Sequence, residues 1–135
     1  MKVSTRTRYA LRFLVRLALA RHGRSLPLSL AARRERISPK YLSRLVIPLR
    51  RAGLIDSFAG PLGGYRLAVP PDRISVGKVM ALFEQNGALV PCLDGNGPCR
   101  LARACRARRF WRSLDADINE RLSRTTVSDI VHGKV

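Results

Sequence analysis

One stretch of the chain decides the fold: Ser38-Pro39-Lys40-Tyr41-Leu42-Ser43-Arg44-Leu45-Val46-Ile47-Pro48-Leu49-Arg50-Arg51-Ala52-Gly53. Serine followed by proline starts a helix well, because the serine caps the first turn and proline needs no amide donor there. Apolar residues then recur at the spacing of one helical face, and Gly53 stands where a left-handed residue commonly ends a helix. The stretch predicts a helix over 38–52 with a polar outer face: Lys40, Ser43, Arg44 and Arg51.

The residues before this stretch predict two more helices. Apolar residues at i, i+3, i+4, i+7 and i+8 from Leu11 predict a first helix over about 5–21, and a shorter helix is expected over about 29–34. Pro48, late in the third helix, predicts a bend or a shortened last turn.

A glycine-rich hairpin is predicted after the third helix. Residues 54–58 and 65–69 resemble short strands, and Gly60-Pro61-Leu62-Gly63-Gly64 lies between them. Glycine permits the backbone conformations that such a tight turn requires. Pro70 and Pro71 then end the hairpin.

The second half of the chain predicts further helices around a long loop. A helix is expected at about 75–85, a loop over 86–100, and a longer helix over about 102–123. The long helix carries a narrow apolar stripe typical of packing on another helix: Trp111, Leu114, Ile118 and Leu122. Thr126 and Asp129 have the spacing of a capping box, which predicts a last short helix.

The charge of the chain points to a polyanionic partner. The 135 residues carry 26 Lys and Arg against 9 Asp and Glu, a formal net charge of +17, and 46% of them are hydrophobic. That composition fills a core and excludes a disordered chain. Residues 1–72 carry 15 basic and 3 acidic residues, so the cationic excess concentrates in the first half. No apolar stretch of 18 residues occurs, so no membrane span is expected. Because Arg12 and Arg16 interrupt the first apolar run, we expect an amphipathic helix and a cytoplasmic protein rather than a signal peptide.

The order helix, helix, tight turn, helix and two-stranded hairpin predicts a mainly α winged helix-turn-helix domain. An α-helix fits the major groove of B-DNA, and a glycine-rich hairpin approaches DNA closely. An enzyme is not expected, because the chain lacks an informative catalytic spacing and the run at 60–64 lacks the strand-to-helix context of a dinucleotide site.

Three cysteines form a compact group in the second half. Cys92, Cys99 and Cys105 have the spacing Cys-x6-Cys-x5-Cys, within 14 positions. Thiolates on one loop suit a soft metal centre, and nearby arginines favour the thiolate. Zinc and a metal-free thiol redox sensor stay open as alternatives.

Four segments together resemble the IscR/NsrR/RirA family of dimeric bacterial transcription regulators: Arg8-Tyr9-Ala10-Leu11, Ser38-Pro39-Lys40-Tyr41-Leu42, Pro48-Leu49-Arg50-Arg51-Ala52-Gly53-Leu54, and Gly60-Pro61-Leu62-Gly63-Gly64-Tyr65-Arg66-Leu67. The resemblance implies a winged helix-turn-helix domain at 1–72 and a cysteine-loop sensor and dimerisation region at 73–135. It makes 38–52 the recognition helix, 54–69 the wing and 102–123 the helix through which two copies form a homodimer.

The resemblance also implies which residues bind the partner and the cofactor. An iron-sulfur cluster, 4Fe-4S rather than 2Fe-2S, is expected on Cys92, Cys99 and Cys105. The residues expected to contact a double-stranded operator are Arg6, Arg8, Ser38, Lys40, Tyr41, Ser43, Arg44, Arg51, Gly60, Gly63 and Gly64.

The sequence departs from the family pattern at several positions. Ser43 stands where several relatives carry Glu, and Ala59 where relatives often carry Arg. Arg36 occupies a turn position that is Gly in many relatives, where a left-handed backbone costs about 1 kcal/mol. Arg8 and Arg108 stand where relatives complete the cluster, which leaves these candidates for a fourth ligand in the chain itself: Asp94, Asn96 and His132.

The sequence therefore predicts a homodimeric repressor or activator whose operator affinity changes with the state of a cluster. A cluster-free thiol or zinc regulator, and a basic protein that binds nucleic acid without specificity, are the alternatives.

Overall fold

The computed structural model describes residues 2–20, 24–85, 87–95 and 99–135. Within them the chain forms six α-helices, one antiparallel hairpin and two short 3-10 turns, Pro71–Arg73 and Pro91–Leu93. In chain order the main elements are α1 (Thr5–Ala18), α2 (Leu28–Glu35), α3 (Pro39–Arg51), β1 (Ile55–Phe58), β2 (Gly64–Leu67), α4 (Val76–Phe83), α5 (Arg106–Arg124) and α6 (Val127–Val131). The mainly α winged-helix prediction is confirmed.

Local capping chemistry sets the helix boundaries. The Ser38 Oγ accepts a hydrogen bond from the Tyr41 amide at 3.4 Å, as the serine-proline start predicts. Gly53 ends the α3 region with φ +71°, and the capping box of Thr126 and Asp129 is present. Pro48 does not shorten α3, which continues to Arg51.

Several predicted boundaries are wrong. α1 ends at Ala18, before the expected residue 21, which lies outside the described residues. The long helix begins at Arg106, because residues 101–105 form turns in which the amides of Ala104 and Cys105 both bond to the Leu101 carbonyl. A pairing that the sequence did not predict joins Leu26 to Tyr65 through two backbone hydrogen bonds of 2.8 and 2.9 Å.

α1 lies at the centre of the packing. It contacts α2, α3, α4, α6 and β2, and its Phe13 and Leu14 are fully buried. The buried cluster around them joins Leu42 and Leu49 of α3 to Val79 of α4 in one core, together with Val127 of α6.

The division of the chain at residue 72, into a DNA-binding domain and a sensor and dimerisation region, stays a prediction. No helix in the described ranges is both long and apolar enough to cross a membrane.

The turn between α2 and α3 is fixed by one buried carboxylate. The Glu35 carboxylate, at the end of α2, bonds to Nε of Arg12 at 3.1 Å and to Nε of Arg16 at 2.6 Å. Arg12 also donates to the Glu35 carbonyl. The next residue, Arg36, has φ 53°, so the left-handed turn expected there is present. These contacts hold α1 against the turn that orients α3.

We expect Glu35→Ala to lower the free energy of unfolding by about 1–2 kcal/mol, because it removes the acceptor of charge-assisted hydrogen bonds in a mostly buried position. The matched control is Glu120→Ala, which removes an exposed i,i+4 pair with Arg124 and should change stability by less than about 0.5 kcal/mol. Urea unfolding at neutral pH measures both. Equal losses in the two variants would contradict a special role for Glu35.

Candidate DNA interface and cysteine segment

The outer face of α3 is cationic and carries no acid. Its 13 residues include Lys40, Arg44, Arg50 and Arg51, all exposed, and no Asp or Glu. The opposite face, formed by Leu42, Leu45, Val46 and Leu49, is buried in the core. The Ser43 hydroxyl, half-buried, donates to the Lys40 carbonyl at 2.6 Å. Periodicity thus turns the core residues inward and leaves a face suited to a polyanion.

The start of α3 forms one wall of a concavity of about 550 Å³ against α1. Tyr41 is half-buried there and packs edge-on against Tyr9, with ring centroids 5.8 Å apart. Three cationic side chains line the concavity without a carboxylate: Arg36, Lys40 and Arg44. The structure therefore places Ser38, Lys40, Tyr41 and Arg44, four of the residues expected to contact DNA, around one concavity.

Close backbone contacts explain why two positions of the wing, Gly63 and Gly64, are glycine. A Cβ on Gly63 would lie 2.4 Å from the Phe58 carbonyl oxygen, and one on Gly64 would lie 2.3 Å from that of Leu26. Gly60 has φ +94° and open space around it. The Gly63 amide donates to the Gly60 carbonyl at 2.9 Å, which closes the turn. The close packing of the hairpin thus requires glycine at 63 and 64, whereas a Cβ at Gly60 would meet no neighbouring atom among the described residues.

The start of α1 is tied to the end of α4. The Glu84 carboxylate accepts hydrogen bonds from the Ser4 amide at 2.8 Å and from the hydroxyl of the buried Thr7. The Thr7 bond above all, and then those of Ser4, lower the pKa of Glu84 below its usual value. Arg6 donates to the Phe83 carbonyl at 3.1 Å, and Arg8 to the Thr5 hydroxyl at 3.1 Å. Of these two expected DNA contacts, Arg6 therefore has a long-range partner inside the chain.

The three cysteines are free thiols on the segment between α4 and α5. Cys92 is half-buried in the 3-10 turn beside α5, Cys105 is the N-cap residue of α5, and Cys99 is exposed. Across residues 2–20, 24–85, 87–95 and 99–135, no three His, Cys, Asp or Glu side chains lie close enough together to hold a metal ion. The donor chemistry fits a soft metal centre, but the structure does not group the donors.

Two of the three candidates for a fourth ligand have hydrogen-bond partners. Asp94 accepts a hydrogen bond from the Ala88 amide, and His132 Nδ1 lies 2.7 Å from the Ser128 carbonyl oxygen. Asn96 lies outside the described residues. Arg108 donates to the Ala102 carbonyl at 3.4 Å, while its buried Nε has no hydrogen-bond partner among the described atoms.

α5 covers α4 with one side and exposes aromatic side chains near its start. None of its residues is fully buried. Phe110 and Trp111 are 59% and 37% exposed and pack edge-on, with ring centroids 5.0 Å apart. An aromatic pair left in solvent on a long helix is typical of an interface with another chain.

A helix-turn-helix with a cationic third helix and a glycine-rich wing defines a winged-helix DNA-binding protein. Comparison with known proteins gives the family: the profile of Rrf2, described as iron-dependent transcriptional regulators, matches residues 3–133. The chain belongs to the Rrf2 family. It is accordingly a DNA-binding transcription regulator and not an enzyme.

Individual relatives agree with this assignment. The transcriptional regulator IscR of Cereibacter sphaeroides is 38% identical over 139 residues, covering 100% of this chain and 90% of that protein. The structure of CymR (YrzC), described as the global cysteine regulator of B. subtilis, has a TM-score of 0.82 at 32% identity and covers 98% of this chain and 97% of its own. The structure of T. potens IscR has a TM-score of 0.77 at 27% identity, with coverages of 100% and 89%.

Sequence reasoning missed two features of this region. Glu84 gave no local signal, because its partners Ser4 and Thr7 lie about 80 positions away. Ile47 is 48% exposed on the cationic face of α3, although it is apolar. Helical spacing could have placed Ile47 on the outer face of α3, because it lies three residues after Arg44 and four after Ser43.

We expect Gly64→Ala to destabilise the protein by about 2 kcal/mol or more, because a Cβ at φ +144° meets the backbone of Leu26 and Pro27. The matched control is Gly53→Ala, where φ is +71° but the space is open, so only about 1 kcal/mol of backbone strain is expected. Thermal unfolding of both variants measures the difference. A Gly64→Ala variant as stable as the control would show that the strand pairing at Leu26 tolerates displacement.

Proposed function

We propose that the chain acts as a homodimer that binds a specific operator, with an affinity set by an iron-sulfur cluster on Cys92, Cys99 and Cys105. The observation that carries the DNA part is the outer face of α3, which exposes four cations and no acid beside a glycine-rich wing. In this proposal α3 enters the major groove and the wing approaches the adjacent minor groove. Two-fold symmetry then requires half-sites about one helical turn apart, roughly 34–36 Å.

The residues that contact DNA in this proposal are those predicted from the sequence. Arg44 makes the base-specific contact, a bidentate pair with guanine worth about 1–3 kcal/mol of discrimination. The wing contributes its backbone at Gly60, Gly63 and Gly64. The remaining contacts fix position or reach phosphate: Arg6, Arg8, Ser38, Lys40, Tyr41, Ser43 and Arg51.

Three free thiols within 14 positions support the cluster, together with the iron-dependent description of the family. A bound cluster, 4Fe-4S rather than 2Fe-2S, would supply iron that can react with oxygen or nitric oxide and whose occupancy would follow the iron supply. The chain provides soft thiolate ligands, and the arginines at 100, 103 and 106 add positive charge beside them.

The surrounding contacts give these thiols a route to the DNA-binding half. Because the thiols are not grouped in the described residues, a cluster would require Cys92, Cys99 and Cys105 to move toward one another within the segment that connects α4 and α5. That segment follows Glu84, which holds the start of α1, and ends at Cys105, which begins α5. The Leu89 amide, in the same connection, donates to Asp115 of α5 at 2.7 Å. Closure of the segment thus acts on α1 and on α5 together.

We expect Cys99→Ala to bind the operator with one unchanging affinity, whereas anaerobically purified wild type changes its affinity when iron is removed by a chelator. The operator is obtained by selection from a random duplex pool, and fluorescence anisotropy measures the affinities. Ala104→Ser, in the same segment, is the matched control and keeps the wild-type response. A Cys99→Ala variant that still responds to iron removal would exclude the three-cysteine cluster.

A cluster-free thiol or zinc regulator is the second candidate. It is favoured by the likeness to CymR, described as a global cysteine regulator. A visible absorption spectrum with iron, sulfide and zinc assays on anaerobic protein separates the candidates: a colourless protein with zinc or no metal supports the second. Equal affinity for the selected duplex, random DNA and RNA would instead support non-specific binding.

We expect Phe110→Asp to convert the dimer to a monomer and to weaken operator binding, because it places a charge on the exposed aromatic pair of α5. Ser113→Asp adds the same charge at another exposed position of α5 and is the matched control. Sedimentation velocity measures the oligomeric state. A wild type that sediments as a monomer would contradict dimerisation through α5.

A further inference from the structure

Ile47 is an apolar side chain in the middle of the cationic face of α3. It is 48% exposed, whereas Leu45, Val46 and Leu49 of the same helix are at most 3% exposed. It belongs neither to the buried core cluster nor to the partly buried residues packed against that cluster. Packing within the described chain therefore does not account for an isoleucine at this position.

Local helix energetics do not account for it either. Isoleucine is β-branched and loses side-chain freedom in a helix, so an exposed helical site favours an unbranched residue. The next residue is Pro48, and proline disfavours the helical conformation of the residue before it. Folding alone would therefore favour a different residue at this position.

The surroundings of Ile47 identify the chemistry of its partner. Ile47 lines a concavity of about 430 Å³ between α3 and β2, together with Ser43, Val46, Arg50, Arg51 and Tyr65. A complementary surface must be anionic around an apolar centre, because α3 carries four cations and no acid. The major groove of B-DNA has this character: phosphates border it, and the thymine methyl is the apolar group on its base edges.

We infer that Ile47 contacts the 5-methyl group of a thymine in the major groove and selects thymine over cytosine at one position of each half-site. The inference rests on the proposed function, which places α3 in that groove. Ser43, one turn earlier, supplies no carboxylate to accept from the cytosine amino group, and its hydroxyl donates to the Lys40 carbonyl. The contact of Ile47 thus distinguishes thymine from cytosine without an acceptor for the cytosine amino group.

Replacing thymine by uracil tests the contact, since it removes only the methyl group and keeps the base pair. Each thymine in one half-site of the duplex selected by wild type from a random pool is replaced in turn. We expect wild type to bind about fourfold more weakly at one position, the value of one buried methyl-sized group. Ile47→Ala should bind the thymine and uracil duplexes equally at that position, and Ile47→Val should keep part of the difference.

Arg44→Ala is the matched control: it weakens binding to both duplexes but keeps the thymine-to-uracil ratio of wild type. An Ile47→Ala variant with the full wild-type ratio would overturn the inference. So would a wild type indifferent to every uracil, or a selected half-site without thymine. None of these results contradicts the proposed function. The proposed function fails at an earlier step, if wild type selects no sequence from the random pool.

Discussion

Burial of α1 is the constraint on which the other elements depend. This helix contacts α2, α3, β2, α4 and α6, and its Phe13 and Leu14 are excluded from solvent. It thus packs against the helix-turn-helix and also against α4, which precedes the cysteine segment. Any displacement of α1 is therefore shared by both halves, because a close-packed core transmits small shifts.

Two of the few carboxylates of this chain bind partners inside the fold. The chain has 9 Asp and Glu against 26 Lys and Arg, so a surplus of cations faces solvent or a partner. Glu35 binds Arg12 and Arg16 of α1 and so holds α1 against the turn before α3. Glu84 accepts from Ser4 and Thr7 and holds the start of α1. Two carboxylates thus stabilise the frame, while α3 keeps a face without negative charge.

The proposed function needs a route from the cysteines to DNA, and the contacts of α1 supply part of it. Glu84 precedes the cysteine segment and touches α1, whereas Cys105 begins α5. Tyr9 of α1 then packs against Tyr41 at the start of α3. Direct contacts therefore connect Glu84, at the end of α4, through α1 with the concavity that Arg36, Lys40 and Arg44 line.

The sequence by itself determined what local periodicity and capping control. It predicted the start of α3 at Ser38 and Pro39, the end of α3 near Gly53, the hairpin and the capping box of Thr126. Each of these features depends on residues within one or two turns of the chain. Only the tertiary structure decided the pairing of Leu26 with Tyr65, the turns that delay α5 to Arg106, and the partners of Glu35 and Glu84. The pairing and the carboxylate partners depend on groups distant in sequence, which local patterns do not encode. The turns before α5 are local, but the apolar spacing of the helix did not reveal them. The tertiary structure also showed that Ile47 lies in solvent among cations, since exposure depends on what packs over a helix face.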